Sequence, residues 1–237
     1  MFTDIHTHIL HSIDDGPENF EQTIKLLDKA VQNGVDKLVV TPHFYAERHS
    51  LKERLDLFDK RYFELCEYVS QNKIPISLLG GFEVRFFKGI SKVEGLNRLC
   101  INGSSFLLLE LGYLVITEDV VDEILNLRYA GYDIILAHIE RYAKLPGFKH
   151  IKSLIMEGEV LAQCNAESFI SGPFQRIAFK LLKQGMVSLI ASDMHSLDNR
   201  PPNLKDAYEV IENKLNSRVK KQLMAEAEEL FSRCTKK

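Results

Sequence analysis

The stretch TDIHTHILHSIDDG, residues 3–16, holds three histidines and three aspartates in fourteen positions. The segment FTDIH, which overlaps its start, is typical of a β-strand. Residues two apart on a strand point to the same side, so His6 and His8 can direct two imidazoles at one point. Two imidazoles and a nearby carboxylate suit a divalent first-row metal ion. A lone H-x-H pair is more often a strand end with surface histidines, so the rest of the chain must decide.

Apolar segments and helical patterns alternate along the chain. Seven segments are predicted to be strands: FTDIH (2–6), DKLVVT (36–41), ISLLGGFEV (76–84), SFLLLEL (105–111), YDIILAH (132–138), VLAQCN (160–165) and VSLIAS (187–192). Between them, helical spacing predicts helices from Phe20 to Val31, closed by Gly34, from Leu51 to Gln71 and near Asp119 to Tyr129. A charged helical tail is predicted from Asn203 to Cys234. This alternation predicts a parallel sheet with crossover helices.

A polar residue that could bind a metal follows or ends every predicted strand. These residues are His6, His43, Glu83, Glu110, His138, Asn165 and Asp193. In a barrel the C-terminal strand ends converge on one face, where active sites of that architecture lie. An open sheet would instead string the same residues along a line. The sequence therefore favours an α/β fold of the distorted, TIM-like (β/α)7 barrel type.

The candidate metal ligands form one constellation of five histidines and four acids. They are His6, His8, Asp15, His43, Glu83, Glu110, His138, Asp193 and His195. Asp193 and His195 repeat the two-residue spacing of His6 and His8. Clustered carboxylates without a cation would repel one another. Nine such residues exceed what one or two ions need, and three ions with one bridging carboxylate would use them all.

Composition excludes several classes of function. The 237 residues fit one domain, 1–237, with 45% hydrophobic and 27% charged residues. The net charge is −3 and no basic stripe occurs, which disfavours nucleic acid or an anionic membrane as partner. No signal peptide is predicted, and Glu110 interrupts the most apolar stretch, SFLLLELGYLVI, which excludes a membrane span. Four cysteines without paired spacing (Cys66, Cys100, Cys164 and Cys234) are typical of reduced thiols, so we expect a cytoplasmic protein.

Six segments together resemble the motif series of the PHP (polymerase and histidinol phosphatase) superfamily. They are DIHTHILHSIDDG, TPH, GGFE, LLLEL, AHIERY and ASDMHSLDNRPP. The resemblance spans essentially the whole chain. It is closest to the PHP-type bacterial protein-tyrosine phosphatases associated with capsule and exopolysaccharide synthesis, because HIERY and SDMHSLDNRPP are specific to that branch. The sequence differs from the family in the loops at 44–50 and 84–102, which leaves substrate choice open.

The resemblance implies three metal positions. His6, His8, Glu83 and Asp193 would bind one ion, and Glu83 would bridge to a second bound by Glu110 and His138. Asp15, His43 and His195 would bind the third. Arg141 and Arg200 match arginines that bind the substrate phosphate, and Asp4 is predicted to orient a ligand. The remaining histidines, His11, His49 and His150, are predicted to be non-ligands.

The resemblance implies a metal-dependent protein-tyrosine phosphatase. Imidazole and carboxylate ligands without thiolate favour manganese, iron or zinc, and the resemblance implies manganese first. Paired ions can generate a hydroxide nucleophile. The implied partner is a phosphotyrosine protein, in particular a bacterial tyrosine kinase of capsule or exopolysaccharide synthesis. Oligomeric state is left open. No C-x5-R motif accompanies any cysteine, which excludes a thiol-dependent phosphatase, and P-loop and dinucleotide-binding motifs are absent.

Two alternatives remain open from the sequence. A PHP phosphoesterase could act on a small phosphate such as histidinol phosphate, and its metal content would not distinguish it. A protein of a different class would dock a tyrosine kinase and regulate it, using the charged C-terminal helices. Comparing turnover of a phosphotyrosyl peptide and of histidinol phosphate distinguishes the tyrosine phosphatase from the small-phosphate enzyme. A metal-ligand mutant that still regulated the kinase would favour docking.

Overall fold

The computed structural model describes residues 1–112 and 115–236. In these residues nine strands occur: β1 (Phe2–Thr7), β2 (Val35–Val40), β3 (His43–Phe44), β4 (Ser77–Gly80), β5 (Glu83–Arg85), β6 (Phe106–Glu110), β7 (Asp133–Leu136), β8 (Val160–Asn165) and β9 (Leu189–Ala191). All pairings between them are parallel, in the orders β1-β2-β4 and β3-β5-β6-β7-β8-β9. Tyr113 and Leu114, which belong to the predicted apolar stretch after β6, and Lys237 lie outside the described residues.

One of the seven predicted strands, 76–84, is divided in two, and the predicted strand 36–41 is followed by a short strand that was not predicted. β2 and β3 are separated by Thr41 and Pro42, because a proline has no amide hydrogen to extend the ladder. β4 and β5 are separated by Gly81 and Phe82, where a β-carbon on Gly81 would lie 2.9 Å from Ile101 Cα. The chain therefore bends at these points and continues in the same direction.

The sheet curls until its last strand meets its first. Thr7 and Met194 form a parallel bridge, and the His8 amide donates to the Met194 carbonyl at 2.9 Å. The Asp193 amide donates to the His6 carbonyl at 3.0 Å on the same side. The predicted distorted barrel of seven strand positions is thus confirmed, with its closure at the C-terminal strand ends.

Eight α-helices occur in the described residues. They are α1 (Phe20–Gln32), α2 (Leu51–Gln71), α3 (Glu118–Tyr129), α4 (Phe148–Met156), α5 (Glu167–Ile170), α6 (Gln175–Lys183), α7 (Leu204–Lys214) and α8 (Ser217–Thr235). The predicted single helical tail is two helices, because Asn216 caps α8 by accepting a hydrogen bond from the Val219 amide. Short 3-10 helices lie at Ile90–Lys92, Leu96–Leu99, Ile101–Gly103 and Ile139–Arg141. No helix in the described part of the chain has the length and hydropathy to cross a bilayer.

Helix α8 closes the N-terminal end of the barrel. Thr3, near the start of β1, donates to Glu228 at 3.0 Å, and Lys37 of β2 pairs with the same carboxylate at 2.9 Å. The Arg233 guanidinium lies 4.5 Å from the centroid of the Phe106 ring, at the start of β6. One apolar cluster joins the strands to the helix: Ile5, Val39, Leu79, Ile101, Phe106, Leu108, Ile135, Ala137, Leu189 and Ala191 with Ala227, Leu230, Phe231 and Cys234 of α8. The opposite end of the barrel is left for polar residues.

Candidate metal centre

All nine predicted ligands lie at the C-terminal ends of the strands. His6 is on β1, His43 on β3, Glu83 on β5 and Glu110 at the end of β6. His138 and Asp193 each lie two residues beyond a strand, and both have left-handed backbone, with φ of 36° and 53°. Such backbone is uncommon outside glycine and often marks functional sites. Asp15 is exposed on the loop after β1, whereas the other eight side chains are buried or nearly so.

The first group joins two imidazoles and two carboxylates. His6 Nε2 and His8 Nε2 lie 3.1 Å apart, and Glu83 Oε2 is 3.3 Å from the first and 3.2 Å from the second. Asp193 Oδ1 is 3.5 Å from both. Ligands about 2.0–2.2 Å from one ion lie roughly 2.8–3.6 Å from each other in tetrahedral or octahedral coordination. The spacing of these four atoms therefore fits one metal ion.

Glu83 also faces the second group. Its Oε1 lies 2.8 Å from His138 Nε2, which is 3.9 Å from Glu110 Oε1. Its Oε2 lies 2.9 Å from His43 Nδ1, and His43, Glu83 and Glu110 offer three ligand atoms within 4.8 Å of one another. Glu83 is thus at the centre of the constellation, where the sequence placed a bridging ligand.

The third group contains one residue more than the sequence placed there. Asp15 Oδ1 is 3.5 Å from His43 Nε2 and 3.2 Å from His195 Nε2. His8 completes a set of four whose ligand atoms lie within 4.8 Å of one another. His8 and His43 therefore each belong to two of the groups. The ring centroids of His8 and His195 lie 3.9 Å apart and those of His8 and His43 lie 4.5 Å apart, which brings the groups together.

Three buried polar atoms of the constellation each lie within 3.5 Å of another candidate ligand atom but make no hydrogen bond of suitable geometry in the described residues. These atoms are His43 Nδ1, Glu83 Oε2 and His195 Nε2. An unsatisfied buried polar group costs about 1–3 kcal/mol, and more when it is charged. A divalent cation satisfies imidazole and carboxylate lone pairs together. The donor set therefore fits metal ions.

The charges of the constellation depend on one another. Burial raises the pKa of Glu83, but the imidazoles of His6 and His43 outweigh it and hold the pKa well below its ordinary value. Burial lowers the pKa of His8, yet Asp14 and Glu83 raise it overall to about 10. Burial lowers the pKa of His195 to about 4. The Glu83 carboxylate is thus ionised, and metal binding at His8 would displace a proton.

Asp14 orients two of the candidate ligands and was missed by the sequence analysis. Its Oδ2 lies 2.7 Å from His8 Nδ1 and accepts from the His43 amide at 3.0 Å. Its Oδ1 accepts from the Gly16 amide, and a β-carbon on Gly16 would meet the His8 carbonyl oxygen at 2.2 Å. A carboxylate behind a ligand imidazole fixes its tautomer and orientation. The DDG sequence was the available signal, but only Asp15 was taken from it.

Asp4, which was predicted to orient a ligand, contacts the backbone next to the candidate ligand Asp193. Its Oδ1 accepts from the Ser192 amide at 3.0 Å, one residue before Asp193. Burial raises the pKa of Asp4 to about 6. The Asp4 carboxylate thus anchors the turn after β9 that carries Asp193, and its orienting role stays a prediction.

Three further side chains support the ligands. Gln163 Oε1 accepts from the His138 amide at 2.8 Å and lies 3.3 Å from His6 Nδ1. Asn165 Nδ2 donates to Asp193 Oδ2 at 2.6 Å, and the Tyr142 hydroxyl lies 3.1 Å from His138 Nδ1. Gln163 lies two residues before Asn165 on β8, so strand spacing was a signal for it.

Both predicted phosphate-binding arginines form ion pairs with candidate metal ligands. Arg141 Nη2 is 2.9 Å from Asp193 Oδ2. Arg200 Nη2 is 2.7 Å from Asp15 Oδ2, and its Nη1 is 3.9 Å from Asp193 Oδ1. Both guanidiniums are partly exposed, so they line the open side of the constellation.

The other three histidines lie outside the groups. His11 Nε2 is 3.0 Å from Glu64 on α2, and His49 Nδ1 accepts from the Tyr45 amide at 3.3 Å. His150 is on α4. None of them belongs to a metal-compatible group in residues 1–112 and 115–236.

A closed parallel barrel with histidines and carboxylates around a shared glutamate, rimmed by arginines, is the arrangement of PHP-type metal-dependent phosphatases. The family model for capsular polysaccharide synthesis proteins CpsB/CapC matches residues 2–231. The chain belongs to this family.

Relatives of the chain carry consistent names. It is 28% identical over 219 residues to the tyrosine-protein phosphatase CpsB of Streptococcus agalactiae serotype III, covering 88% of each chain. It is 27% identical over 233 residues to CpsB of Streptococcus pneumoniae, covering 94% of this chain and 95% of the relative. A solved structure from work on YwqE of Bacillus subtilis and CpsB of S. pneumoniae, described as metal-dependent tyrosine phosphatases, has a TM-score of 0.82 at 22% identity. The match covers 98% of this chain and 94% of that one, which establishes the fold.

Proposed function

We propose that this chain is a metal-dependent protein-tyrosine phosphatase that acts in capsule or exopolysaccharide synthesis. Its substrate would be a phosphotyrosine protein, in particular a bacterial tyrosine kinase. The observation that carries the proposal is the position of Glu83. This carboxylate contacts His6, His8, His43 and His138 in one barrel mouth that two arginines border. The names of the relatives support the phosphotyrosine substrate.

Three divalent ions, with manganese first and iron or zinc as alternatives, would occupy the site. His6, His8, Glu83 and Asp193 would hold one ion, and Glu110 and His138 with Glu83 a second. Asp15, His43 and His195 would hold the third, with His8 close enough to share it. When bound, such ions supply Lewis-acid charge and activate water near neutral pH.

The protein's own residues would bind and orient the phosphate. Arg141 and Arg200 each offer a planar guanidinium fork that matches phosphate oxygens. In the structure these forks pair with Asp193 and Asp15, which hold them at the mouth. Asp14, Gln163 and Tyr142 would keep the imidazoles of His8, His6 and His138 in place, so that the site is formed before substrate arrives.

The cysteines do not support thiol chemistry. All four are free, and three of them are buried. Burial raises the pKa of each thiol, to about 12 for Cys100, so the nucleophilic thiolate is disfavoured at neutral pH. Free cysteines are typical of a reducing compartment, and we place the reaction in the cytoplasm.

The experiment compares two substrates on one preparation. In manganese, a phosphotyrosyl peptide should have a higher kcat/KM than histidinol phosphate, and iodoacetamide treatment of the native protein should leave that turnover unchanged. A preference for histidinol phosphate would instead identify a small-phosphate phosphoesterase. Regulation of a tyrosine kinase by a Glu83→Ala variant without turnover would identify a docking protein.

A further inference from the structure

An aromatic side chain packs against the candidate metal centre from the loop after β3. The rings of Tyr45 and His43 stack with centroids 4.8 Å apart and an interplanar angle of 25°. His43 is itself 2.9 Å from Glu83 and 3.5 Å from Asp15. Burial and the charges of Glu110, Glu83 and Asp15 raise the pKa of Tyr45, so the phenol stays neutral. Tyr45 therefore forms part of the wall of the mouth.

Two arginines contact the Tyr45 ring: Arg48, on the loop after β3, and Arg85, the last residue of β5. The guanidinium carbons of Arg48 and Arg85 lie 5.2 Å and 5.5 Å from the Tyr45 ring centroid. Neither arginine has a carboxylate within 4.0 Å in the described part of the chain, in contrast to Arg141 and Arg200. Cation–π contact holds such groups but does not neutralise them. The mouth therefore carries two positive charges that lack an anionic partner.

A cavity extends from the candidate metal centre to Arg48, one member of this pair. It has a volume of about 330 Å³ and is lined by Asp14, Asp15, His43, Tyr45, Arg48 and Arg54, among others. Arg54 is already used, because it donates to the carbonyls of Ile13 and His43. Arg48 is exposed and is the side chain that gives this cavity an unpaired charge.

The distances fit a peptide that continues from a phosphotyrosine in the site. Through the Tyr45 ring, Arg48 and Arg85 lie within about 10 Å of the His43 ring. An extended chain spans roughly 3.3–3.6 Å per residue, so this is the reach of two to three residues. Arg48 and Arg85 lie in the two segments, 44–50 and 84–102, where the sequence was expected to depart from the family pattern.

We infer that Arg48 and Arg85 form a subsite for an acidic side chain, Asp or Glu, that flanks the phosphotyrosine in the substrate protein. Tyr45 is a positioning residue that holds the two guanidiniums beside the metal centre. The inference rests on the proposed phosphatase function. It assigns the substrate preference to a negatively charged residue two or three positions from the phosphotyrosine.

The test uses three phosphotyrosyl peptides of equal length that differ only at the flanking positions two and three residues away, occupied by Glu, Gln or Lys. For the unaltered protein, kcat/KM should fall from Glu to Gln to Lys, by roughly 3- to 10-fold at each step at low salt. High salt should compress this series, because exposed charges are screened. In Arg48→Glu and Arg85→Glu the order of the three peptides should flatten or reverse.

Matched variants separate the subsite from net charge and from folding. Arg218→Glu makes the same charge change at an exposed position on α8 and should keep the order of the unaltered protein. Arg48→Gln, a milder change, should flatten the order without reversing it. Tyr45→Phe should keep the preference and Tyr45→Leu should reduce it, since only the former retains the ring.

The outcomes distinguish failure of the proposed subsite from failure of the proposed phosphatase function. Equal kcat/KM for the three peptides, with rapid turnover of each, would overturn the subsite and leave the phosphatase. The same loss of preference in Arg218→Glu as in Arg48→Glu would also overturn it. Absence of turnover on all peptides and on p-nitrophenyl phosphate would overturn the proposed function and the subsite together.

Discussion

The two ends of the barrel are built from the same strands but have opposite chemistry. On β6, Leu108 belongs to the apolar cluster under α8, and two residues later Glu110 belongs to the candidate metal centre. At the end of β9, Ala191 likewise belongs to the apolar cluster, and Asp193, two residues later, belongs to the candidate metal centre. Residues two apart on a strand point to the same face. On the inner face of a strand, an apolar core residue is therefore followed directly by a candidate metal ligand.

The difference teaches where stability and function reside. The N-terminal end buries aliphatic and aromatic side chains, including Phe231 and Leu230, and such burial stabilises the fold. The C-terminal end buries charged groups and unsatisfied atoms and holds His138 and Asp193 in left-handed backbone. These features oppose folding without bound cations, so the apolar end must stabilise the polar one.

The largest effect on turnover is expected at Glu83. Glu83→Ala removes the carboxylate between two groups, so metal content should fall at two positions. Turnover should fall by more than the roughly 10- to 100-fold typical of residues that only orient a ligand. His11→Ala is the control, a buried histidine bonded to Glu64 instead of to the constellation. Equal losses of turnover and metal in the two variants would contradict the ligand assignment.

The next largest effect is expected at the two arginines. Arg141→Ala and Arg200→Ala should each lower kcat/KM by roughly 30- to 1,000-fold, which corresponds to about 2–4 kcal/mol of lost transition-state stabilisation. Metal content should stay near that of the unaltered protein, since neither is a ligand. Arg→Lys should restore little, because lysine keeps the charge without the fork. Unchanged kcat/KM in both alanine variants would remove the arginines from the phosphate site.

A smaller effect is expected at Asp14, which contacts a ligand without being one. Asp14→Asn removes the charge behind His8 while keeping the side-chain volume. Metal affinity or activity should fall by roughly 10- to 100-fold, measured by metal titration and steady-state kinetics. Asp28→Asn on the exposed face of α1 makes the same chemical change and should have no effect. Identical behaviour of the two variants would reject the orienting role.

The smallest effect on turnover is expected at the apolar end. Phe231→Ala should lower the free energy of unfolding by roughly 3–5 kcal/mol, because the ring is buried in the cluster under α8. Turnover and metal content per folded molecule should not change. Phe63→Ala, at an exposed position on α2, should change stability by less than about 0.5 kcal/mol. Loss of turnover in folded Phe231→Ala would show that the two ends are coupled.

Much of the fold could be predicted because its pattern is local. The helix from Leu51 to Gln71 has the predicted bounds, since Ser50 caps it by accepting from the Glu53 amide. The short strand β3 after Pro42 was not predicted. The break at Gly81 was missed, because strand propensity does not reveal a close approach to Ile101.

The candidate site was predicted less completely. Ligand-type residues could be found at strand ends, and Glu83 could be placed at their centre by resemblance. The sharing of His8 and His43 between groups could not, because it depends on ring stacking across the barrel mouth. The role of Asp14 could not be predicted either, because the turn at Gly16 decides which carboxylate reaches the His8 imidazole.

The central claim is that the polar end of the barrel works through bound metal. The most direct measurement follows phosphotyrosyl-peptide turnover before chelation, after chelation with metal removal confirmed by elemental analysis, and after manganese is restored. We expect turnover to disappear with the metal and to return with manganese. Undiminished turnover in the metal-free protein would contradict the account.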